Sequence, residues 1–310
     1  MDRLLALQTF TRVVELGGFT RAGESLHLSK TTVSDLVQNL EKHLGARLLQ
    51  RTTRRVTVTP EGAAFYERCA RILADLEEAE ASVMTTRVAP KGRLRVDMPG
   101  ALGRLFVIPQ LPEFFARYPD LRLELGLGLR PVNLVEEGVD CVVRMGEQPD
   151  SSLVARRVGA VSFICCASPA YLKEHGAPSS PEDLPAHRCV NFMSHRTGRI
   201  MDWEFVRDGR KTQLALQGVL AVNDADAYVV AGVMGLGIVK VANYVVRPYL
   251  ESGQLKQVLA DWTAEQFPVS VMYPKSRHLS AKMRVFVEWV SELFQKNLLL
   301  QSSLTARPRK

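Results

Sequence analysis

Apolar residues recur at helical spacing over residues 4–16, where Leu4, Leu7, Phe10, Val13 and Val14 share one face and Gly17-Gly18 ends the run. A second short helix is expected over 21–27, with Thr20 as its N-cap, small Ala22 admitting a close neighbour and Leu26 turned inward. Ser29 then starts the chain again as an N-cap. The third helix, about 30–43, sets Val33, Leu36, Val37 and Leu40 on one face and runs into Gly45, a residue suited to a left-handed cap. Three short helices with so tight a second junction predict a helix-turn-helix, although a small helical bundle would share the pattern. The next residues discriminate, because 47–59 read as a strand, a basic turn and an alternating strand: a winged hairpin with its charges at the tip.

Helical phase puts Thr31, Ser34, Asp35, Gln38 and Lys42 opposite the apolar face, with Lys30 and Thr32 beside them at the helix start. On DNA these residues would face the major groove. Gln38 suits adenine, Asp35 can accept from the cytosine amino group, and Lys42 suits phosphate. Arg51, Thr52, Thr53, Arg54 and Arg55 form the expected wing, whose contacts position the protein more than they specify sequence.

Thr59-Pro60 opens a long helix, since proline is favoured at the first helical position. Its apolar residues Phe65, Cys69, Ile72, Leu76, Ala79 and Val83 alternate spacings of four and three, a coiled-coil seam that calls for a partner helix. Packing against its own domain is the competing explanation. Pro90-Lys91-Gly92 then breaks the helix and serves as a hinge. Beyond it the pattern alternates: strand 94–98, helix 102–116, strand 121–127, short helix 132–137, strand 139–144, further strands near 163–167, 190–193, 219–222 and 238–241, and a last amphipathic helix over 281–293. Such alternation predicts an α/β half that binds ligands at the carboxyl ends of its strands. The expected division is a winged helix-turn-helix over 1–59, a linker helix and hinge over 60–91, a ligand-binding half over 92–300 and a basic tail over 301–310.

A chain of 310 residues, 46% hydrophobic and 24% charged, is too long for one ordinary core and too apolar for disorder. Its net charge of +7 favours polyanionic partners, though so small an excess also suits a solvated surface. No long apolar run opens the sequence, so neither a secretory signal nor a membrane span is expected, and the cytoplasm is the expected compartment. Cys69, Cys141, Cys165, Cys166 and Cys189 lack CxxC spacing and sit in apolar runs, which predicts reduced, buried thiols and no metal site. No HExxH, GxSxG or close His cluster nominates a catalytic residue, and no cofactor is expected. A nucleotide enzyme, hinted at by Gly126, Gly128, Gly232, Gly235 and Gly237, fails on order: Gly235 and Gly237 follow a helix and lead into a strand. A plain solute-binding protein would suit the last two thirds but not the N-terminal winged half.

Residues 6–59 resemble the DNA-binding segment of LysR-type regulators. The resemblance rests on Phe19-Thr20 with Ala22 and Leu26, Ser29, Val33-Ser34, Leu40-Glu41, Leu44-Gly45, Leu48, Arg51 and Thr59-Pro60-Glu61-Gly62. It continues through Glu137-Gly138-Val139-Asp140, Ser168-Pro169-Ala170-Tyr171-Leu172, Leu184 with His187-Arg188-Cys189, and Gly235-Leu236-Gly237-Ile238, and spans about 3–295. Lys30, Asp35, Gly23 and Lys240-Val241 depart from the usual residues. The first two bear on operator sequence, the last on the pocket, and Gly23 is expected only to cost the helix about 1 kcal/mol relative to alanine.

The resemblance implies a sequence-specific transcription regulator with an α+β architecture, its second half built like type II periplasmic binding proteins. Subdomain I would be about 92–161 with 268–300 and subdomain II about 162–267, joined by strands crossing near 162–167 and 267–273. The implied partners are a partly palindromic DNA duplex, a small organic effector, and further copies of the chain in a dimer of dimers; RNA polymerase is a further candidate. The effector cleft would be lined from Pro99, Gly100, Ala101, Arg130, Arg144, Phe192, Ser194, Asn223, Asp224 and Lys240. Helix starts after Gly100 and Asn223 offer amides to an anion, and Arg130, Arg144 and Lys240 could add positive charge, which favours an organic acid or aromatic carboxylate. Asp224 and Asp226 oppose that charge unless they cap their own helix. The alternative is that the basic residues form salt bridges in loops and at the domain interface.

Overall fold

The computed structural model describes residues 2–51, 56–83, 89–134, 136–146, 153–207, 209–262, 266–275 and 279–301, which form two compact units divided at 88/89. The first unit holds α1 (Arg3–Leu16), α2 (Phe19–Leu26), α3 (Lys30–Leu44), the antiparallel pair β1 (Leu49–Arg51) and β2 (Val56–Val58), and α4 (Pro60–Val83). Ala6, Phe10, Val13, Ala22, Val33, Val37, Leu40, Leu48, Leu49 and Cys69 make its core. Gly17 and Gly45 take left-handed conformations at φ 65° and end α1 and α3, as their places in the sequence predict.

Two expectations for α2 need correction. The helix starts at Phe19, and its N-cap is Gly18, an extended residue with no side-chain cap bond, rather than Thr20. At its other end His27 takes the left-handed position at φ 56°, and Leu28 N donates to Gly23 O at 2.8 Å, closing the turn before Ser29 caps α3. Gly23 is also more than a weak helix former. It is buried, and a Cβ there would lie 2.6 Å from the Leu28 carbonyl oxygen. In this chain glycine makes the tight turn possible.

The second unit contains two sheets of one design. In subdomain I, β3 (Gly92–Met98), β4 (Leu121–Leu127), β5 (Cys141–Met145), β6 (Leu153–Val161) and β14 (Phe267–Pro274) are ordered β4-β3-β5-β14-β6. The first two pairings are parallel and the last two antiparallel. Subdomain II holds β7 (Phe163–Ala167), β8 (Cys189–Phe192), β11 (Gly218–Val222), β12 (Val239–Ala242) and β13 (Lys256–Val258), with the hairpin β9 (Trp203–Arg207) and β10 (Arg210–Leu214). A parallel bridge from Cys189 to Ile238 links β8 to β12, so the order β11-β8-β12-β7-β13 repeats the same two parallel and two antiparallel relations. The chain passes from one sheet to the other at Ser162 and returns before β14.

Several recurrent phrases earn their place structurally. Ser168 caps the helix Pro169–His175 by accepting from Tyr171 N, and the Tyr171 hydroxyl accepts from Arg188 N at 2.9 Å. A Cβ at Gly237 would meet the Arg188 oxygen at 2.4 Å, so only glycine lets the chain approach β8 there. The expected helix over 102–116 is present as an unbroken helical run that changes winding along its length: α over Gly100–Leu102, π over Gly103–Val107, 3-10 over Ile108–Gln110 and α over Leu111–Arg117. Pro109 and Pro112 remove two of the amides that a regular α-helix would use. The short helix expected over 132–137 is a turn, with Glu137 N bonded to Asn133 O and Gly138 at φ 65°.

Candidate functional site

The polar face of α3 is built by its own cap and core. Ser29 Oγ accepts from Thr32 N at 3.1 Å and lies 2.7 and 2.8 Å from the hydroxyls of Thr31 and Thr32. Those hydroxyls are turned to the cap. Val33, Val37 and Leu40 are buried, whereas Lys30, Thr31, Thr32, Asp35, Gln38 and Lys42 are exposed and Ser34 is half-buried. Four of the five expected groove-facing side chains and the two expected to flank them are therefore open to solvent, and the fifth, Ser34, is half-buried.

Two groups that the periodicity could not reveal fix this helix to the hairpin. Glu41 Oε1 accepts from Leu48 N at 2.8 Å and Leu49 N at 3.0 Å, tying α3 to β1. Thr59 Oγ1 donates to Arg47 O or Leu48 O and accepts from Gly62 N at 2.9 Å, tying β1 to α4. A Cβ on Gly62 would lie 2.0 Å from Leu48 O, so the first turn of α4 rests directly on the strand. Arg51 ends β1, and the expected wing residues Thr52, Thr53, Arg54 and Arg55 lie outside the described residues.

The seam of α4 divides. Phe65 packs against Phe10 with ring centroids 5.7 Å apart but stays half-buried, whereas Cys69 is fully buried in the core of its own unit and leaves no surface for a partner. Burial raises the Cys69 thiol to about 11. Ile72 is 53% exposed and Leu76 half-buried, so an outward apolar stripe begins at Ile72. The side chains of Ala79 and Val83 lie outside the described residues.

In the second unit the segments after β3, β4, β8, β11 and β12 stand at strand carboxyl ends, as expected for a ligand cleft. The three basic residues expected to supply its charge have protein partners instead. Arg144 and Asp97, each with a side chain 16% exposed, pair at 2.7 Å, and Arg144 also donates to the oxygens of Val143 and Arg130. Arg130 pairs with Glu137, which holds that carboxyl below its usual range. Lys240 lies on the face of β12 under the hairpin, its Nζ 5.0 Å from the Phe205 ring centroid and donating to Glu204 O. Arg130 and Arg144 thus form salt bridges within subdomain I, and Lys240 is held by a backbone oxygen and a ring within subdomain II.

The remaining cleft residues have clear local roles. Pro99 and Ala101 are buried, Gly100 is half-buried, and the Phe192 ring packs on Tyr228 at 5.5 Å. Ser194 Oγ accepts from Arg196 N and Thr197 N in the loop after β8, and Asn223 O faces His195 Nε2. Asp224 Oδ1 accepts from Asp226 N at 3.1 Å and Ala227 N at 2.8 Å, so the helix Ala225–Val233 carries its own cap and offers no vacant anion site. Asp226 forms a two-point pair with Arg104, a residue that sequence spacing did not single out because its partner is 122 positions away.

All five cysteines are free and buried, and burial raises Cys166 and Cys189 to about 12. Among the described residues no group of three or more His, Cys, Asp or Glu side chains could hold a metal, and no helix is long and apolar enough to cross a membrane.

Comparison with known proteins assigns both units. Residues 4–63 match the model of the bacterial regulatory helix-turn-helix protein, lysR family, and residues 87–295 match the LysR substrate binding domain. The chain is 39% identical over 301 residues to an HTH-type transcriptional repressor of Pseudomonas aeruginosa, covering 97% of this chain and 95% of that one. It is 37% identical over 298 residues to the regulator YhjC of Escherichia coli, covering 96% and 100%. Among solved structures, CrgA of Neisseria meningitidis superimposes with a TM-score of 0.59 at 32% identity over 93% of this chain and 97% of that chain. The full-length Vibrio cholerae virulence activator AphB gives 0.58 at 30%, over 94% and 98%. With both halves matched in order and nearly the whole length covered, the chain belongs to the LysR family of DNA-binding transcriptional regulators, with a substrate-type effector domain.

Proposed function

We propose that this regulator docks α3 in the major groove through Lys30, Thr31, Thr32, Ser34, Asp35, Gln38 and Lys42, with the tip 51–55 against the sugar-phosphate backbone or minor groove. The observation that carries the reading is the open polar face of α3 opposite buried Val33, Val37 and Leu40. Gln38 reads adenine and Asp35 the cytosine amino group, while Lys42 meets phosphate. The test is selection of preferred duplexes from a random pool by wild-type, Gln38→Ala and Thr31→Ala proteins. Altered preference in at least one variant is expected; unchanged preference in both would remove α3 from base readout.

The working unit is a dimer, or a dimer of dimers, in the cytoplasm. Two exposed apolar stripes support self-association of the effector half: Leu105 and Ile108 on subdomain I, and Val219, Val230 and Met234 on subdomain II, the last 72% exposed. Two unlike patches on one surface satisfy a two-fold axis when each meets the other patch of a second copy. The α4 stripe from Ile72 supplies the second contact, and recognition helices about 34 Å apart would select a partly palindromic site. Light scattering at micromolar concentration should give at least twice the mass of one chain, and a monomer would refute the assembly.

The effector is a small organic acid held between the strand ends of the two subdomains. The start of the run at Gly100, whose cap residue Pro99 has no polar side chain, favours an anion there. With Arg130, Arg144 and Lys240 engaged elsewhere, those amides and the nearby Arg104 carry the reading. Thermal stabilisation by carboxylates but not by neutral or cationic metabolites is expected, and stabilisation by cations alone would overturn it.

A further inference from the structure

Arg104 and Asp226 join the two subdomains at the strand ends. Arg104 lies in the π-helical segment after β3, and Asp226 in the first turn of the helix after β11. Both terminal guanidinium nitrogens meet both carboxylate oxygens, the forked geometry in which an arginine also takes a small-molecule carboxylate. Asp226 is not needed as a cap, because Asp224 already accepts the first amides of that helix. The two side chains are 49% and 47% exposed, so water and solutes reach them, and an ion pair so open to solvent is weakly held. Beside the pair the subdomains also meet through Phe106 and Tyr244, with ring centroids 5.4 Å apart, and through the Tyr244 hydroxyl 3.9 Å from Met145 Sδ. A π-helical segment in this place is itself a common mark of a functional position.

We propose that Asp226 is an internal carboxylate latch: without ligand it occupies Arg104 and holds the subdomains together at the cleft, and an organic carboxylate entering the cleft displaces it from Arg104. The exchange rests on the organic-acid reading above. The latch itself does not, whereas the exchange makes Arg104 the specificity-determining cation of the site.

The test uses the full chain as wild type, Asp226→Asn, Arg104→Gln, and the reversed pair Arg104→Asp with Asp226→Arg. Amide hydrogen exchange is followed in peptides covering 100–108 and 224–230. Each single variant should speed exchange in both peptides, including the one it does not touch, and the reversed pair should restore protection. Changes confined to the substituted peptide would overturn the latch. Benzoate, with acetate and succinate beside it, is then titrated by thermal shift. A pair this open to solvent is closed at most about five times in six, which lowers apparent affinity by at most about sixfold, so Asp226→Asn should bind the stabilising acid several-fold more tightly and Arg104→Gln should lose it. Equal stabilisation of all four proteins would overturn the exchange while leaving an acid effector in place. No stabilisation of any of them would overturn the acid reading and the exchange with it, and hydrogen exchange would still decide the latch.

Discussion

Replacing Gly62 by alanine tests how closely α4 rests on the hairpin. The new methyl would sit 2.0 Å from Leu48 O and 2.8 Å from the carbonyl carbon, so the strand must retreat by about 1.5 Å to reach ordinary contact. That retreat strains the bonds from Thr59 N and Thr59 Oγ1 to Leu48 O, now 3.0 and 3.1 Å. Overpacking typically costs about 1–3 kcal/mol, and a weakened buried hydrogen bond about 1 kcal/mol more. Alanine returns about 1 kcal/mol of helix propensity. The net expectation is a loss of roughly 1–3 kcal/mol, which in a unit of this size lowers its melting temperature by roughly 4–24 °C. All three tryptophans, Trp203, Trp262 and Trp289, lie in the second unit, so their fluorescence transition should stay in place while DNA binding and the far-ultraviolet signal of the first unit fail earlier. Ala63→Gly, at the exposed neighbouring position, isolates the propensity effect and should cost about 1 kcal/mol. If Gly62→Ala were neutral or stabilising while Ala63→Gly showed its cost, the close-approach argument would be wrong.

Gly23→Ala should destabilise the first unit despite its better propensity, because Leu28 O stands 2.6 Å from the added carbon; a raised melting temperature would contradict this. Glu41→Ala leaves the amides of Leu48 and Leu49 without their carboxylate and should cost about 1–3 kcal/mol, measured by urea unfolding, whereas Glu41→Gln keeps an acceptor and should cost less. Burial raises Cys69 to about 11 and Cys166 and Cys189 to about 12, while thiols in the unfolded chain titrate near 8.5. Above that lower value the folded state holds protons the unfolded chain has released, so this contribution to stability is intact below about pH 8 and is lost as pH rises toward 11–12. The buried hydroxyls of Tyr228 and Tyr244, also raised, act in the same direction at higher pH. Unfolding midpoints that rise between pH 8 and 10 would refute it.

What could be read from the sequence was what local chemistry decides. Gly17 and Gly45 announced their helix ends because few other residues enter the left-handed cap, and Ser29 announced α3 because its hydroxyl satisfies an otherwise bare amide. The end of α2 was placed within one residue, at His27, which takes the same left-handed conformation without being glycine, whereas its start was misplaced because Gly18 caps it with no side chain to announce it. The seam of α4 was correctly periodic, yet period does not say which partner covers it, and Phe65 and Cys69 found Phe10 and its neighbours. The helix through 102–116 was legible, while Pro109 and Pro112 were visible warnings that its winding would not be regular α throughout. Arg144 could be named from the sequence but not paired, and Arg104 could not be named at all, since Arg144 with Asp97 and Arg104 with Asp226 meet only after the sheets assemble.

The position of β14 also sets an order of events during synthesis. This strand is the penultimate in sequence to form the core of subdomain I, yet in space it lies between β5 and β6, and the helix Ala281–Lys296 then adds Phe286, Val290 and Phe294. The first unit is complete once α4 has emerged, whereas subdomain I must wait for roughly 200 further residues, about 10–40 s at ordinary ribosomal rates. Through that interval the nascent chain carries a finished DNA-binding unit and an unfinished sensor in which β5 and β6 each expose an edge meant for β14. Open edges recruit other strands. A message cut short before Phe267 should therefore yield aggregate or chaperone-bound chain rather than a regulator freed from its ligand, so that loss of the sensor's last piece silences the DNA-binding half as well.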